Sequence, residues 1–374
     1  MAYDIEETLD VEGHDVVKVS YPISSYVADK GFNDYIVRIL DKDNFDCIFT
    51  MNYIPALAKI SFLRKIKYIA WISDSPNYTT YSEMIHSPYN YIFHFDKKEV
   101  ENLRSTGDKN IFHMPLAVNT KRVTKQIETS KIQKNKYKAD VSFLGSLYSD
   151  RDFFDKISGI NDYQKGFVDA VIKAQLLFQG CDLIEEALPK SFIESVLKLV
   201  DFNMDSEIKL SDEKILLDLI RKKATSIERI ELLNFIAKKY QVVLYTGSAD
   251  NMLYHVENRG YLDYNTQMPV MFNSSKINLN ITLRSIQSGI SLRALDIMGA
   301  GGFLLSNWQP ELAECFEEGK EVVMYYDRND LMSKIEYYLQ NEDERMKIAE
   351  NGQKKIIEQF DYSCAWKKIF GVVF

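Results

Sequence analysis

The chain has 374 residues, enough for two domains with cores of their own. Apolar residues make up 46% and charged residues 27%, the balance of an ordinary globular protein. A net charge of -8 argues against a nucleic-acid binder, and no apolar stretch approaches the length of a membrane span.

Taken in chain order, residues 15–20 (DVVKVS), 45–50, 67–72, 90–95 and 110–114 read as buried strands, because each is a short apolar run bounded by polar or turn residues. Helical patterns lie between them, such as NDYIVRILDKD and KKEVENLRSTG, the latter stopping at Gly107. This alternation predicts a parallel sheet covered on both faces. Residues 118–138 hold seven Lys or Arg against one Glu and read as an exposed linker. A strand-like stretch follows at 139–146. Residues 151–239 are then almost entirely helix-patterned, too long for an ordinary crossover, and read as a helical insertion. Strands resume at 241–247, 276–282, 302–307 and 321–326. Helices at 328–340 and 342–358 and a last segment at 362–370 complete the chain.

Cys47, Cys181, Cys315 and Cys364 lie far apart and form no C-x-x-C. With no signal peptide in the sequence, they predict reduced thiols in a cytoplasm. The five histidines show no i,i+4 pairing, which argues against zinc. The 23 tyrosines and 21 phenylalanines suit cores, with some free to line a sugar cleft.

The most informative stretch is GISLRALDIMGAGGFLLSN, residues 289–307. Gly289 lets backbone approach a ligand, and the free N–H groups around Gly289, Ile290 and Ser291 favour a diphosphate at the helix start. Arg293 in the first turn can donate two hydrogen bonds to phosphate oxygens. Asp296, three residues on, can accept from both ribose hydroxyls. Gly299, Gly301 and Gly302 end the helix and permit close packing before the next strand. The same pair also reads as a surface ion pair worth about 0.3 kcal/mol.

Other residues fall at strand ends, where ligands of such sheets bind. Gly145 and Ser146 follow one strand, and their amides could touch donor phosphates. Thr246 and Gly247 follow another and could approach the base. Arg284 could neutralise a leaving phosphate or simply pair with an acid. Tyr264 and Gln267 could edge the site or pack their own loop. In WISDSP, Asp74 could be a base for the acceptor hydroxyl, or a turn and cap residue. Asn52 is a weaker candidate and reads better as a turn residue. Asp41-Lys42-Asp43 is formally a D-x-D, but it lies between a helix and a strand start, at the wrong end of a sheet for a metal site.

The segment SLRALDIMGAGGFLLSNWQPELAECFEEGKEVVMY resembles the C-terminal domain of CgeB-like (spore-maturation type) glycosyltransferases. These pair an arginine with an acidic residue ahead of GxFLL and follow with F..GKE...Y. The stretch DLMSKIEYYLQNEDERMKIAENGQKKI is similar to that family as well. YIAWISDSP, NYIFHFDK and HMPLAVN resemble its N-terminal partner domain. The resemblance implies a GT-B-like α/β fold: two facing Rossmann-like domains, a sugar-nucleotide site in the second, and a last helix crossing back to the first. It further implies sugar transfer without a bound metal or cofactor. Retaining members of the wider group often carry two glutamates eight positions apart; here these positions hold Ser288 and Asp296. The family fold also opens with a buried strand ahead of a helix like DIEETLDVEGHD. This chain starts three residues before that helix, so a missing first strand and a five-stranded N-terminal sheet are expected, with an edge prone to self-association.

The resulting expectation is an N-terminal Rossmann-like, acceptor-side domain over 1–118 and a basic linker over 119–138. A C-terminal sugar-nucleotide-binding domain over 139–360 carries the insertion 151–239, and residues 361–374 return to the first domain. The predicted activity is hexosyl transfer from a nucleoside-diphosphate sugar, UDP-linked, to a glycan or protein hydroxyl. Asp74 and Arg293 are the catalytic candidates. Gly145, Ser146, Thr246, Gly247, Arg284, Ser288, Gly289, Ile290, Arg293 and Asp296 are the donor-site candidates. A homo-oligomer is the expected assembly. A GT-B-fold epimerase and a non-catalytic sugar-nucleotide-binding or assembly protein are the alternatives.

Overall fold

The computed structural model of the chain describes residues 2–107, 109–149, 154–202, 205–249 and 251–374. The elements begin with α1 (Ala2–Val11), α2 (Lys30–Leu40), β1 (Cys47–Met51), α3 (Pro55–Arg64), β2 (Lys67–Ile72), β3 (Asn90–His94), α4 (Lys97–Arg104) and β4 (Ile111–His113). Then come α5 (Thr120–Thr129), β5 (Val141–Leu144), α6 (Asp162–Gln175), α7 (Leu183–Ala187), α8 (Lys190–Leu197) and α9 (Asp212–Ala237). The chain continues through β6 (Val242–Tyr245), β7 (Val256–Asn258), α10 (Met268–Ser274), β8 (Ile277–Asn280), α11 (Leu292–Gly299) and β9 (Leu304–Asn307). It ends with α12 (Pro310–Cys315), β10 (Val323–Tyr325), α13 (Arg328–Gln340), α14 (Glu342–Gln359) and α15 (Tyr362–Val373). These divide into two compact units: Met1–Leu116 with Phe202–Lys214 and Tyr362–Phe374, and Ala117–Asp201 with Ile215–Asp361.

The first unit carries a parallel four-stranded sheet in the order β1-β2-β3-β4. From Tyr68 to Ile72 every residue of β2 is buried, as a strand covered on both faces requires. From α15, Trp366 and Tyr362 pack edge-on against Trp71, each at 5.8 Å between ring centres. Ile208 bridges to Ser82, and Lys214 places its ammonium 4.6 Å from the centre of the Tyr81 ring.

Two expectations need correcting here. Residues 15–20 form no strand and are exposed, with Lys18 paired to Glu6 at 2.7 Å. The sheet therefore has four strands rather than five, and β1 lies at its edge. The basic stretch 119–138 is not an open linker. Asn119 caps α5 by accepting from the Arg122 amide at 3.0 Å, and the helix buries Val123. Tyr137 is buried too, and Asp361 accepts from the Thr120 hydroxyl at 2.6 Å.

The second unit holds a parallel six-stranded sheet, β10-β9-β8-β5-β6-β7. Strand order reverses at β5, whose neighbours are β6 on one side and β8 on the other. Leu232, Leu233 and Ile236 of α9 join Leu331 and Ile335 of α13 in the core with β5, β6 and β8. The helix-patterned stretch 151–239, of which residues 151–153, 203 and 204 lie outside those described, forms α6–α9. An Asn161–Gln164 capping box starts α6. Ion pairs fasten these helices to α9: Lys223 to Asp155 at 2.6 Å and Asp169 at 2.9 Å, and Arg221 to Asp182 and Glu185. Behind α11 the glycines matter sterically. Gly301 has φ +67, and a Cβ on Gly302 would lie 2.6 Å from the Phe272 carbonyl oxygen.

Candidate functional site

Strand order reverses at β5, and doubly wound sheets bind ligands at the carboxyl ends of the strands flanking such a point, here β5 and β8. Three loops meet there, after β5, β6 and β8. Gly145 donates its amide to the Tyr245 carbonyl at 3.1 Å. The Ser146 and Ser248 hydroxyls lie 3.1 Å apart; Ser248 Oγ accepts from the Leu147 amide and Ser146 Oγ from the Tyr148 amide. Thr246 Oγ1 accepts from the Ser248 amide at 3.1 Å. Three amides of the β5 loop are thus used by the protein itself. Gly247 faces open space, with nothing within 4 Å of an added Cβ.

Arg229 of α9 ties the loops together. Its Nη1 donates to the Ser146 carbonyl and its Nη2 to the Ile281 carbonyl, both at 2.5 Å. Phe143 and Tyr148 flank the guanidinium, each ring centre 5.3 Å away. Burial lowers its pKa, and the nearby Arg293 charge adds to that. Sequence reasoning missed this residue. The signal was its spacing: 229, 232, 233 and 236 form one buried helix stripe, where an unneeded charge is costly.

Arg293 sits in the first turn of α11, behind the N-cap Ser291 that accepts from the Ala294 amide. The residue is partly exposed, but its Nε and Nη1 are shut off from water and have no hydrogen-bond partner among the described residues. Its guanidinium lies 5.9 Å from the centre of the Phe272 ring. Burial lowers its pKa against the opposing pull of Asp296. Asp296 is itself buried, and its Oδ1 accepts from the Tyr264 hydroxyl at 3.2 Å. The pair is therefore not a surface ion pair. Gln267 serves its own loop, its Oε1 accepting from the Asp263 amide at 2.9 Å.

In the β8–α11 loop, Ile290 is buried beside Gly289. Ser288 donates to Glu311 Oε1 at 2.7 Å, so a carboxylate from α12 lies against this position. The Arg284 guanidinium is already engaged: its Nε and Nη2 grip both Glu228 oxygens at 2.9 and 2.6 Å. Burial alone would lower the Arg284 pKa, but Glu228 outweighs it and the net direction is up.

Asp74 belongs to the first unit and follows β2. It is exposed, and its Oδ2 accepts from Asn52 Nδ2 at 2.7 Å. Asn52 Oδ1 in turn accepts from the Ser73 and Asp74 amides at 2.9 and 3.2 Å. Asn52 has a left-handed φ of 61, so its backbone turns while its side chain clamps the next strand's exit. The first helical turn after Pro76 starts at Asn77, so Asp74 does not cap it.

Residues 227–371 match the glycosyl transferase-like family. Among solved structures, HepE from Anabaena in complex with UDP superposes with TM-score 0.51 at 10% identity, covering 92% of this chain and 82% of that one. HepE in complex with UDP-glucose gives 0.50 at 11% identity, covering 91% and 81%. A UDP-forming α,α-trehalose-phosphate synthase from Burkholderia xenovorans gives 0.50 at 13% identity, covering 92% and 77%. The fold is GT-B. No curated protein sequence matches the chain. Among the described residues no helix is long and apolar enough to cross a membrane.

Proposed function

We propose that the chain is a cytoplasmic, metal-independent hexosyltransferase of the CgeB-like kind, moving a sugar from a UDP-linked donor to an acceptor hydroxyl. The observation that carries this reading is Arg293: two buried guanidinium nitrogens without an acceptor, in the first turn of the helix after β8, the strand beside the strand-order reversal of a GT-B fold. Unsatisfied charged donors are costly in a folded chain, so a ligand oxyanion is the partner they lack. The UDP and UDP-glucose complexes of HepE support a uridine donor.

In this reading the donor diphosphate lies on Arg293 and the amides around Gly289 and Ile290. Asp296, held by Tyr264, takes the ribose hydroxyls. As the glycosidic bond breaks, positive charge grows on the anomeric carbon and negative charge on the departing phosphate. Arg293 stabilises the latter, with Arg229 as a fixed second cation nearby. Asp74 accepts the proton of the attacking hydroxyl, and the acceptor oxygen bonds to the anomeric carbon as UDP leaves.

The test is calorimetric titration of UDP into the intact protein and into Arg293→Ala and Asp296→Ala. Binding to the native chain, weakened in both variants without loss of fold, is the expected result. Equal affinity in all three would remove the donor site from α11. Transfer from UDP-glucose that vanished with EDTA and returned with manganese would overturn metal independence.

A further inference from the structure

A cavity of the second unit adjoins the site just described and shares with it Glu228, the partner of Arg284. It opens at the carboxyl end of β10, between the start of α13, the middle of α9 and the end of α6, and has a volume of ≈ 520 Å³. Small-molecule sites commonly span ~300–1,000 Å³. One wall, Lys173 to Gln179, is supplied by the insertion, so a sheet with a single crossover helix after β5 would lack it.

Burial separates floor from rim. Glu228, Leu232 and Tyr325 are buried, whereas Lys173, Leu177, Asp327 and Arg328 are exposed. On the floor, the Tyr325 hydroxyl has no hydrogen-bond partner among the described residues. Leaving a buried hydroxyl unpaired costs about 1–3 kcal/mol, and phenylalanine would fill the same space without that cost. Gln179 donates to Glu228 at 3.2 Å and accepts from Asn307 at 3.1 Å, so an ordered amide–carboxylate pair lines the same cavity.

The charges around the cavity cancel. Glu228 is matched by Arg284, which leaves Glu231 and Asp327 facing Lys173 and Arg328. No net field favours a phosphate or a polycation. Leu176, Leu177 and Leu232 add aliphatic surface between the polar groups. Interleaved donors, acceptors and CH surface suit a polyhydroxylated ring.

We propose that this cavity binds a neutral saccharide, as a subsite separate from the nucleotide. Assigning that saccharide to the acceptor rests on the function proposed above; the binding itself does not. Glu228 adjoins Arg229 in sequence, and Arg229 donates to carbonyls of the loops after β5 and β8, so the cavity and those loops share the helix α9.

The experiment is saturation-transfer NMR on the intact protein, without nucleotide, using glucose, N-acetylglucosamine, maltose and glucose 6-phosphate as probes. Transfer to at least one neutral sugar is expected, with no tighter binding of the phosphorylated one. Tyr325→Phe should weaken that binding about three- to tenfold, the worth of one neutral hydrogen bond, with melting temperature unchanged or raised and UDP affinity unchanged. Leu177→Trp, at the rim, should also weaken it and leave UDP binding alone. The proposal is overturned if no neutral sugar shows transfer, if glucose 6-phosphate binds tightest, or if Tyr325→Phe keeps full sugar affinity or loses stability. UDP affinity is read in the same samples, so failure of the nucleotide reading is seen separately.

Discussion

The carboxyl ends of the two sheets solve their hydrogen bonding differently. In the first unit strand order never reverses, and Asn52 uses both ends of its amide to hold the exit of β2. The buried side-chain atoms without partners there, among the described residues, are the amide oxygens of Asn33 and Asn90, on α2 and at the start of β3. In the second unit, where order reverses at β5, such atoms belong to Arg293, Gln309 and Tyr325, which follow β8, follow β9 and end β10, and to Asn265. Unmet capacity therefore gathers at or beyond the carboxyl ends of strands in one sheet and not in the other. The two sheets thus differ in where their unpaired polar atoms lie.

Substitutions in the two sheets test this contrast. The largest effect is expected from Arg284→Ala. It strands the buried Glu228 carboxylate, and losing one partner of such a pair costs about 3–5 kcal/mol. Urea unfolding should show that loss; a change below about 1 kcal/mol would mean the pair is not desolvated as its burial indicates. Asp74→Asn comes next. The amide can still accept from Asn52, so stability and UDP affinity should hold while turnover drops about 10²–10⁴-fold. Near-normal turnover rules the base out. Arg293→Ala removes a cation that has no protein hydrogen bond at Nε or Nη1 and leaves Asp296 its Tyr264 hydrogen bond, so the melting temperature should fall far less than in Arg284→Ala, whereas UDP binding should weaken about 10- to 100-fold. A destabilised variant with native UDP affinity would make Arg293 a structural residue.

The smallest effect concerns pH and the first unit. Burial, with His113 adding to it, pushes the His94 pKa down to about 3, while its Nδ1 accepts from the Asp96 amide. Unfolded chains protonate histidine near pH ~6.5, so between ~6.5 and ~3 the unfolded state binds the extra proton. Stability therefore falls with pH across that window, by at most about 1.4 kcal/mol per unit. His94→Asn should flatten the slope by one proton. An unchanged slope would assign the acid sensitivity to other groups.

Most strands were legible because parallel strands buried on both faces must be short continuous apolar runs, as in KYIAWI and KINLNIT. The same rule misreads DVVKVS, where Asp15 and Lys18 interrupt the run and no partner strand covers it. It also passes over β7, three residues with its middle side chain exposed. Arg293 and Asp296 were legible as a pair on one helix face, but their burial was not, since it depends on Phe272 of α10 and Tyr264 of the turn before it. Arg229 was hidden because a helix stripe shows spacing and not the carbonyls that wait opposite. The tie of residues 202–214 to the first unit has no local signal at all, because it lies in contacts with Tyr81 and Ser82.

That last feature bears on synthesis at the ribosome. The first unit is assembled from three stretches of chain, the last of them Tyr362–Phe374, whereas every residue of the second lies between 117 and 361. Although its strands are made first, the first unit cannot cover Trp71 until Tyr362 and Trp366 emerge. At about 5–20 residues per second, translation leaves that surface waiting on the order of ten seconds to a minute, a window in which chaperones compete with self-association. A chain ending at Asp361 should therefore bind an apolar dye far more strongly than the full chain. Equal dye binding would show that the N-terminal sheet closes without its final helix.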